Sequence, residues 1–278
     1  MTFIITLISL IIERFFHWGP LRHWRWFNVY QRGLSHSRLN QLPAFFLLIL
    51  SILPLVLIVG LINYFLSGWM HGILKIIFGI IVLWYCLGPA NLWVQIYRCI
   101  TQLNKEEDHK ASIAYIQTEF GISSEENPQA FHQAFIRAIF IAANERIFSV
   151  VLWFVLLGPI GAVLYRSIAL MNTDSPLGLT RIAAKIQALL DWIPVRIFTF
   201  IFALGGHFRE VFTRWKKTVL KGPETNQLML TDCGIAALDV RTENTIPEDG
   251  SAEREAIALL DRVLVMGLVI LAMIVLIL

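Results

Sequence analysis

Long apolar runs separated by short polar interruptions dominate the chain, and several are long enough to cross a bilayer, which takes about 20 apolar residues for a hydrocarbon core about 30 Å thick. Pro43 to Phe65 is the clearest, with Pro54 tolerated inside it as a kink where neighbouring groups satisfy the freed carbonyl. A turn from Ser67 to Gly72 reverses the chain into a second run, Ile73 to about Tyr97, which predicts a transmembrane hairpin. The third run, Ile147 to Ile168, carries Gly158, Pro159 and Gly161, which predict a break or a close helix contact. Segment 191–207 is shorter: the thirteen residues from Trp192 to Leu204 fit either a re-entrant segment or a short span. The last run, Val263 to Leu278, has sixteen residues. At about 24 Å of helical rise it must recruit the turn Ala256 to Leu260 or thin the bilayer. Met1 to Ile12 is apolar and ends at Glu13 and Arg14, the reverse of the charge order of a secretory signal. Segment 1–16 therefore predicts a retained short helix, either half-inserted or crossing with Phe15 and Phe16 recruited.

Two polar stretches, 98–146 and 208–256, complete the pattern. In the first, Asn127 as N-cap and Pro128 at the first helical position lead into a stripe of Phe131, Phe135, Ala138 and Ala142. A helix lying against the bundle or the membrane surface is expected there. In the second, Thr225 to Asp249 reads as an extramembrane excursion, and Ser251 with Glu253 and Glu255 starts the final helix. The expected architecture is all-α: a single polytopic helical membrane domain over 1–278, with about 4–6 membrane segments and helical cytoplasmic loops.

Composition agrees. Of 278 residues, 56% are hydrophobic and 15% charged, against about 25% charged in soluble domains. The net charge of +3 matters less than its placement. Five arginines and three histidines fall between Arg14 and Arg38 with no acid among them, which marks a cytoplasmic face. Trp18, Trp24, Trp26, Phe27 and Tyr30, interleaved with them, read as an interfacial belt rather than a nucleic-acid surface. A second basic block, Arg209 to Lys221, is also placed in the cytoplasm. If 191–207 crosses, the C-terminus is periplasmic; if it is re-entrant, the C-terminus turns inward.

Signatures of enzymatic chemistry are absent from the sequence: no phosphate-binding loop, no zinc-protease helix, no nucleophile elbow and no dinucleotide turn. Seven scattered histidines lack ligand spacing, and Cys86, Cys99 and Cys233 form no pair motif. No catalytic residue, metal or cofactor is expected on this basis. What stands out is a frame of polar groups in or beside apolar segments: Glu13, Arg14, Asn144, Glu145, Arg146, Arg166, Asp191, Arg196 and His207. Several have bland readings. Arg146 and Arg166 can snorkel to the interface, and Asp191 can cap the helix that follows it. Arg196 sits two residues past Pro194, inside an apolar run, and five residues from Asp191, a spacing that does not align side chains on a helix. It is expected to take a carboxylate partner from another segment, such as Glu13 or Glu145.

The run Leu190-Asp191-Trp192-Ile193-Pro194-Val195-Arg196-Ile197, continuing to Ala203-Leu204-Gly205-Gly206-His207, resembles a segment of the AmpE family, membrane proteins associated with beta-lactamase regulation. Ile11-Ile12-Glu13-Arg14-Phe15-Phe16 resembles that family's N-terminal acid–arginine pair. Trp153-Phe154, Leu157-Gly158-Pro159 and Gly161 to Arg166 resemble its central span. The matches fall in the family's order across almost the whole chain. AmpE is in turn similar to the CobD/CbiB membrane synthases of cobalamin assembly through Gly158, Gly161, Ala162, Tyr165 and Arg166, and through Pro194 and Arg196. This chain departs from those synthases at Ala143-Asn144-Glu145, where a leading acid is missing, and at Gln187 and Ala188, which stand where paired aspartates are expected.

The resemblance implies a regulatory or signalling protein of the bacterial inner membrane, acting in beta-lactamase induction and the response to cell-wall damage. Its implied partners are the lipid bilayer, a peptidoglycan fragment or nucleotide as signal, and a membrane protein. The alternatives are a divergent amide-forming enzyme built on Glu13, Asn144, Glu145 and Arg196, and a membrane scaffold.

Overall fold

The computed structural model describes residues 2–15, 24–36, 43–66, 72–88, 91–103, 109–122, 127–238 and 250–277. Expectations for Phe16 and Trp18, the turn from Ser67, the later part of the excursion, 239–249, and the terminal Leu278 fall outside the described residues, while the first part of that excursion is helical. Every described element is helical. The first four are α1 (Thr2–Phe15), α2 (Arg25–Ser35), α3 (Ala44–Leu66) and α4 (Ile73–Cys86). Next come α5 (Leu92–Leu103), α6 (His109–Phe120), α7 (Pro128–Ala143), a π turn (Asn144–Phe148), α8 (Ser149–Leu157) and α9 (Pro159–Thr173). The chain finishes with α10 (Thr180–Gly205), α11 (Phe208–Thr218), α12 (Asn226–Ala237) and α13 (Ser251–Ile277).

Among the described residues four stretches are long and apolar enough to cross a membrane: Ala44–Leu66, Pro128–Leu157, Thr180–Gly205 and Ser251–Ile277. Helix α4 is equally apolar but has only 14 residues. The four divide by burial. In the Ala44–Leu66 and Ser251–Ile277 stretches, 22% and 11% of the apolar window is buried by protein, so most of their leucine, isoleucine and valine surface is left for hydrocarbon. In Pro128–Leu157 and Thr180–Gly205 the share is 56%, and these two carry the polar groups.

Several boundaries differ from the sequence pattern for local reasons. The run from Ile73 stops at Cys86, because Gly88 turns the chain with φ +117°. The apolar run over 147–168 is two helices. Gly158 adopts φ 68° and ψ −154°, a conformation that only glycine takes readily, and Pro159 then starts α9. A β-carbon on Gly161 would overlap the Trp153 carbonyl oxygen, so the pair α8 and α9 packs backbone against backbone there. Upstream, the same span begins at Pro128 rather than Ile147: Asn127 Oδ1 accepts from the Gln129 amide at 3.0 Å, and the helix continues through the π turn.

Both helix-internal prolines keep their helices continuous, and for the same reason. Proline lacks the N–H that would bond the carbonyl four residues back. Pro54 leaves the Leu50 carbonyl, and the Tyr30 hydroxyl donates to it at 3.1 Å. Pro194 leaves the Leu190 carbonyl, and Trp153 Nε1 donates to it at 3.2 Å. The helix expected near Asp191 therefore starts at Thr180 and runs for 26 residues.

The chain forms two compact units. The first comprises Met1–Asn91 and Glu145–Asp191, the second Leu92–Asn144 and Trp192–Leu278. In the first, α1 packs on α4 and α8, and α9 packs on α3, α4 and α8. In the second, α7 packs on α12, α13, α6 and α5, and α11 packs on α12. Phe140 is fully buried there against Phe202, 5.4 Å between ring centres, and over Gly234.

Candidate functional site

The π turn interrupts the longest membrane-capable stretch with five consecutive residues, Asn144 to Phe148. Such single-turn widenings of an α-helix recur at functional sites. Here the turn holds Glu145 and Arg146, and the first unit supplies their surroundings from α8, α9 and the start of α10. Asp191, 7% exposed, accepts from the hydroxyls of Ser149 and Tyr165, both at 2.7 Å and both on Oδ1. Ser149 and Tyr165 have no exposure, so these hydroxyls depend on the carboxylate as much as it depends on them. Glu145 is hydrogen-bonded by the Gln187 side chain, whose Oε1 in turn accepts from Asn172 Nδ2 at 2.9 Å. The two carboxylates are thus tied to hydroxyls and an amide, and they sit close enough to repel each other. One pair of acids thereby links α9, α10 and the π turn.

Two guanidinium groups complete this cluster. Arg166, on α9, is 6% exposed, and its Nε is buried with no hydrogen-bond partner. Arg146 repels it and Glu145 attracts it. A β-carbon built on Gly88 would lie 3.6 Å from Arg166 Nη2 and 3.9 Å from Cβ and Cδ of Arg146. The Arg166 guanidinium and the stem of Arg146 therefore meet at the backbone turn that ends α4. The interfacial snorkelling expected for Arg166 does not occur: its side chain is enclosed.

Arg196 belongs to the second unit and is resolved differently from expectation. Nε donates to the Val219 carbonyl at 2.9 Å, Nη1 to the Trp192 carbonyl at 2.9 Å and Asn226 Oδ1 at 2.7 Å, and Nη2 to the Lys221 carbonyl at 2.6 Å. Its guanidinium also lies 4.3 Å from the ring centre of Trp192. The carboxylate partner expected from Glu13 or Glu145 is replaced by carbonyls just past the end of α11, where orphan carbonyls and the negative end of the helix dipole favour a cation. Trp192 Nε1 joins in at the Lys221 carbonyl, 3.0 Å, and Trp215 Nε1 donates to the Arg196 carbonyl at 3.0 Å. Arg196 is a structural clamp.

The other frame residues disperse. Glu13 is 1% exposed near the end of α1, and its backbone carbonyl accepts from the Asn91 side chain. Arg14 follows it on the same helix and is half-buried. Asn144 is buried at the head of the π turn. His207 is exposed at the N-cap of α11 and makes no capping bond with its side chain. Of the expected frame, the structure gathers Glu145, Arg146, Arg166 and Asp191.

Sequence reasoning missed Ser149, which looks like one more small residue in an apolar run. It also missed the pairing of His132 with Glu253 in the second unit, where Nδ1 lies 2.6 Å from Oε1 and the side chains are 3% and 0% exposed. The available signal was a titratable residue near the start of each of two apolar helices, since such groups persist when they pair. Among the described residues no group of three His, Cys, Asp or Glu side chains is placed to hold a metal ion.

A family model described as regulatory signalling modulator protein AmpE matches residues 1–277. No curated protein and no solved structure matches the chain. The similarity to the CobD/CbiB synthases finds no support in these comparisons. With an all-helical architecture, four membrane-capable stretches and a match that runs from end to end, this chain belongs to the AmpE family of regulatory membrane proteins.

Proposed function

We propose that this protein acts at the bacterial inner membrane in beta-lactamase induction and the response to cell-wall damage, sensing a small signal such as a peptidoglycan fragment or a nucleotide. The observation that carries this reading is the family match over residues 1–277. The geometry supports a sensing role through the cluster on the π turn. Asp191 with its two hydroxyls and Glu145 with its amides form two hydrogen-bonded sets coupled by the repulsion between the acids, so a ligand that engages one set alters the other. A signal read in this way is passed on through a membrane protein partner.

Deleting the gene in a host with inducible beta-lactamase, and measuring enzyme activity after a beta-lactam challenge, tests the reading. Altered induction, restored by the intact gene and not by a copy carrying Glu145→Gln with Asp191→Asn, is the expected result. Identical induction with and without the gene rules it out.

A further inference from the structure

Arg166 poses a physical question that the regulatory role leaves open. Burying a guanidinium is costly unless its donors are satisfied, and a buried donor left without an acceptor loses its solvation with no return. Arg166 Nε is such a donor. Asp191 accepts from Ser149 and Tyr165, and Glu145, hydrogen-bonded by Gln187, attracts Arg166 without giving Nε an acceptor. A second cation, Arg146, stands beside it. Two like charges held near one glycine turn, with the Nε donor of Arg166 unused, are what an oxyanion would stabilise.

We infer that Arg146 and Arg166, converging beside Gly88, bind a phosphate group, carried either by a lipid headgroup or by a soluble phosphate ester. The three parts come from separate places in the first unit: the end of α4, the π turn and α9. A tetrahedral phosphate offers separate oxygen edges to two guanidiniums arriving from different helices, whereas a carboxylate presents a single edge that one arginine fork fills. Arg146 itself sits on the π turn, a local widening of the helix of the kind found at functional sites. This inference rests on the sensing role and gives its ligand a chemical class.

The test uses the full-length protein purified in phosphate-free dodecyl maltoside, with unfolding followed by tryptophan fluorescence. Sodium phosphate is titrated against sodium chloride at matched ionic strength. The same measurement is made in phosphatidylcholine nanodiscs with and without phosphatidylglycerol. A saturable rise in unfolding midpoint with phosphate is expected for a soluble ester site. A rise with phosphatidylglycerol that phosphate no longer augments is expected for a lipid site. Arg166→Gln and Arg146→Gln should each weaken the response at least about tenfold, the equivalent of one charge-assisted hydrogen bond. Arg209→Gln, on the exposed face of α11, should leave it unchanged. If Arg166→Gln fails to insert, Arg166→Lys and Arg146→Gln carry the comparison. A midpoint unmoved by phosphate and by anionic lipid, or moved equally in the arginine variants, overturns the inference. Loss of induction on gene deletion together with no anion response would sink this site alone; an anion response with unaltered induction would sink the regulatory reading alone.

Discussion

Arg196 makes four hydrogen bonds within its own unit, three to backbone carbonyls and one to Asn226, whereas Arg166, equally enclosed at 6% exposure, leaves Nε without an acceptor. In sequence the two looked alike, each an arginine in or beside an apolar run, and Arg196 looked harder to explain. The fold reverses that order. Position past Pro194 brings Arg196 to the exposed carbonyls after α11, where a cation is welcome, while Arg166 is held beside another arginine. A buried charge signals function when its surroundings fail to satisfy it, and structure when they do.

The largest effect should come from the satisfied arginine. Replacing Arg196 with Leu removes the donors to three carbonyls and an amide at once and should lower stability by about 3–5 kcal/mol, read as a fall in the midpoint of denaturant unfolding. Asp191→Ala comes next. It strands the buried hydroxyls of Ser149 and Tyr165, and a loss of about 2–3 kcal/mol is expected in the same assay, with Asp191→Asn retaining part of it because the amide oxygen still accepts. Gly161→Ala forces a methyl group toward the Trp153 carbonyl oxygen and should cost about 1–3 kcal/mol, checked by comparing protein yield and unfolding midpoint with the parent. Arg166→Gln should be the mildest, within about 1 kcal/mol of the parent when phosphate and anionic lipid are absent, because no hydrogen bond at Nε is given up.

A further contrast concerns Cys233 on α12, outside the membrane-capable stretches. Burial pushes its thiol up to about 12, with Asp232 adding to the rise and Arg214 opposing it. The proton is therefore held in the folded protein well above the pH at which an unfolded cysteine ionises, near 8.5. Maleimide labelling of Cys233 at pH 8.5 should be slow in the folded protein and fast after unfolding. Equal rates would contradict its burial.

The most hydrophobic elements were legible because a single property decides them. The run that became α3 has 23 residues with no charge, and Ala256 to Leu260 joined α13 as the short final apolar run required. Less was legible where polar residues are buried. Asn144, Glu145 and Arg146 read as the end of a loop and hid the continuity of Pro128–Leu157, because a hydropathy pattern scores them as exposed while the fold gives them partners. A π turn has no residue signature, so its presence could not be read from Ile141 to Phe148. Within the site, the importance of Asp191 and Arg166 was visible as polarity in an apolar context, but their partners were not. Ser149 lies 42 residues from Asp191, and no periodicity links such positions. The partner proposed for Arg196 failed for a related reason: backbone carbonyls carry no side-chain signal, and the nearest acids in the sequence drew the inference instead.

The contrast between the two arginines is tested most directly by unfolding Arg166→Gln and Arg196→Gln side by side, each with and without phosphate. Arg196→Gln should lose about 3 kcal/mol or more in both conditions, and Arg166→Gln should match the parent without phosphate and fail to gain stability when phosphate is added. Equal losses for the two variants without phosphate, or a phosphate response in Arg166→Gln equal to that of the parent, would contradict the assignment of one arginine to the fold and the other to a ligand.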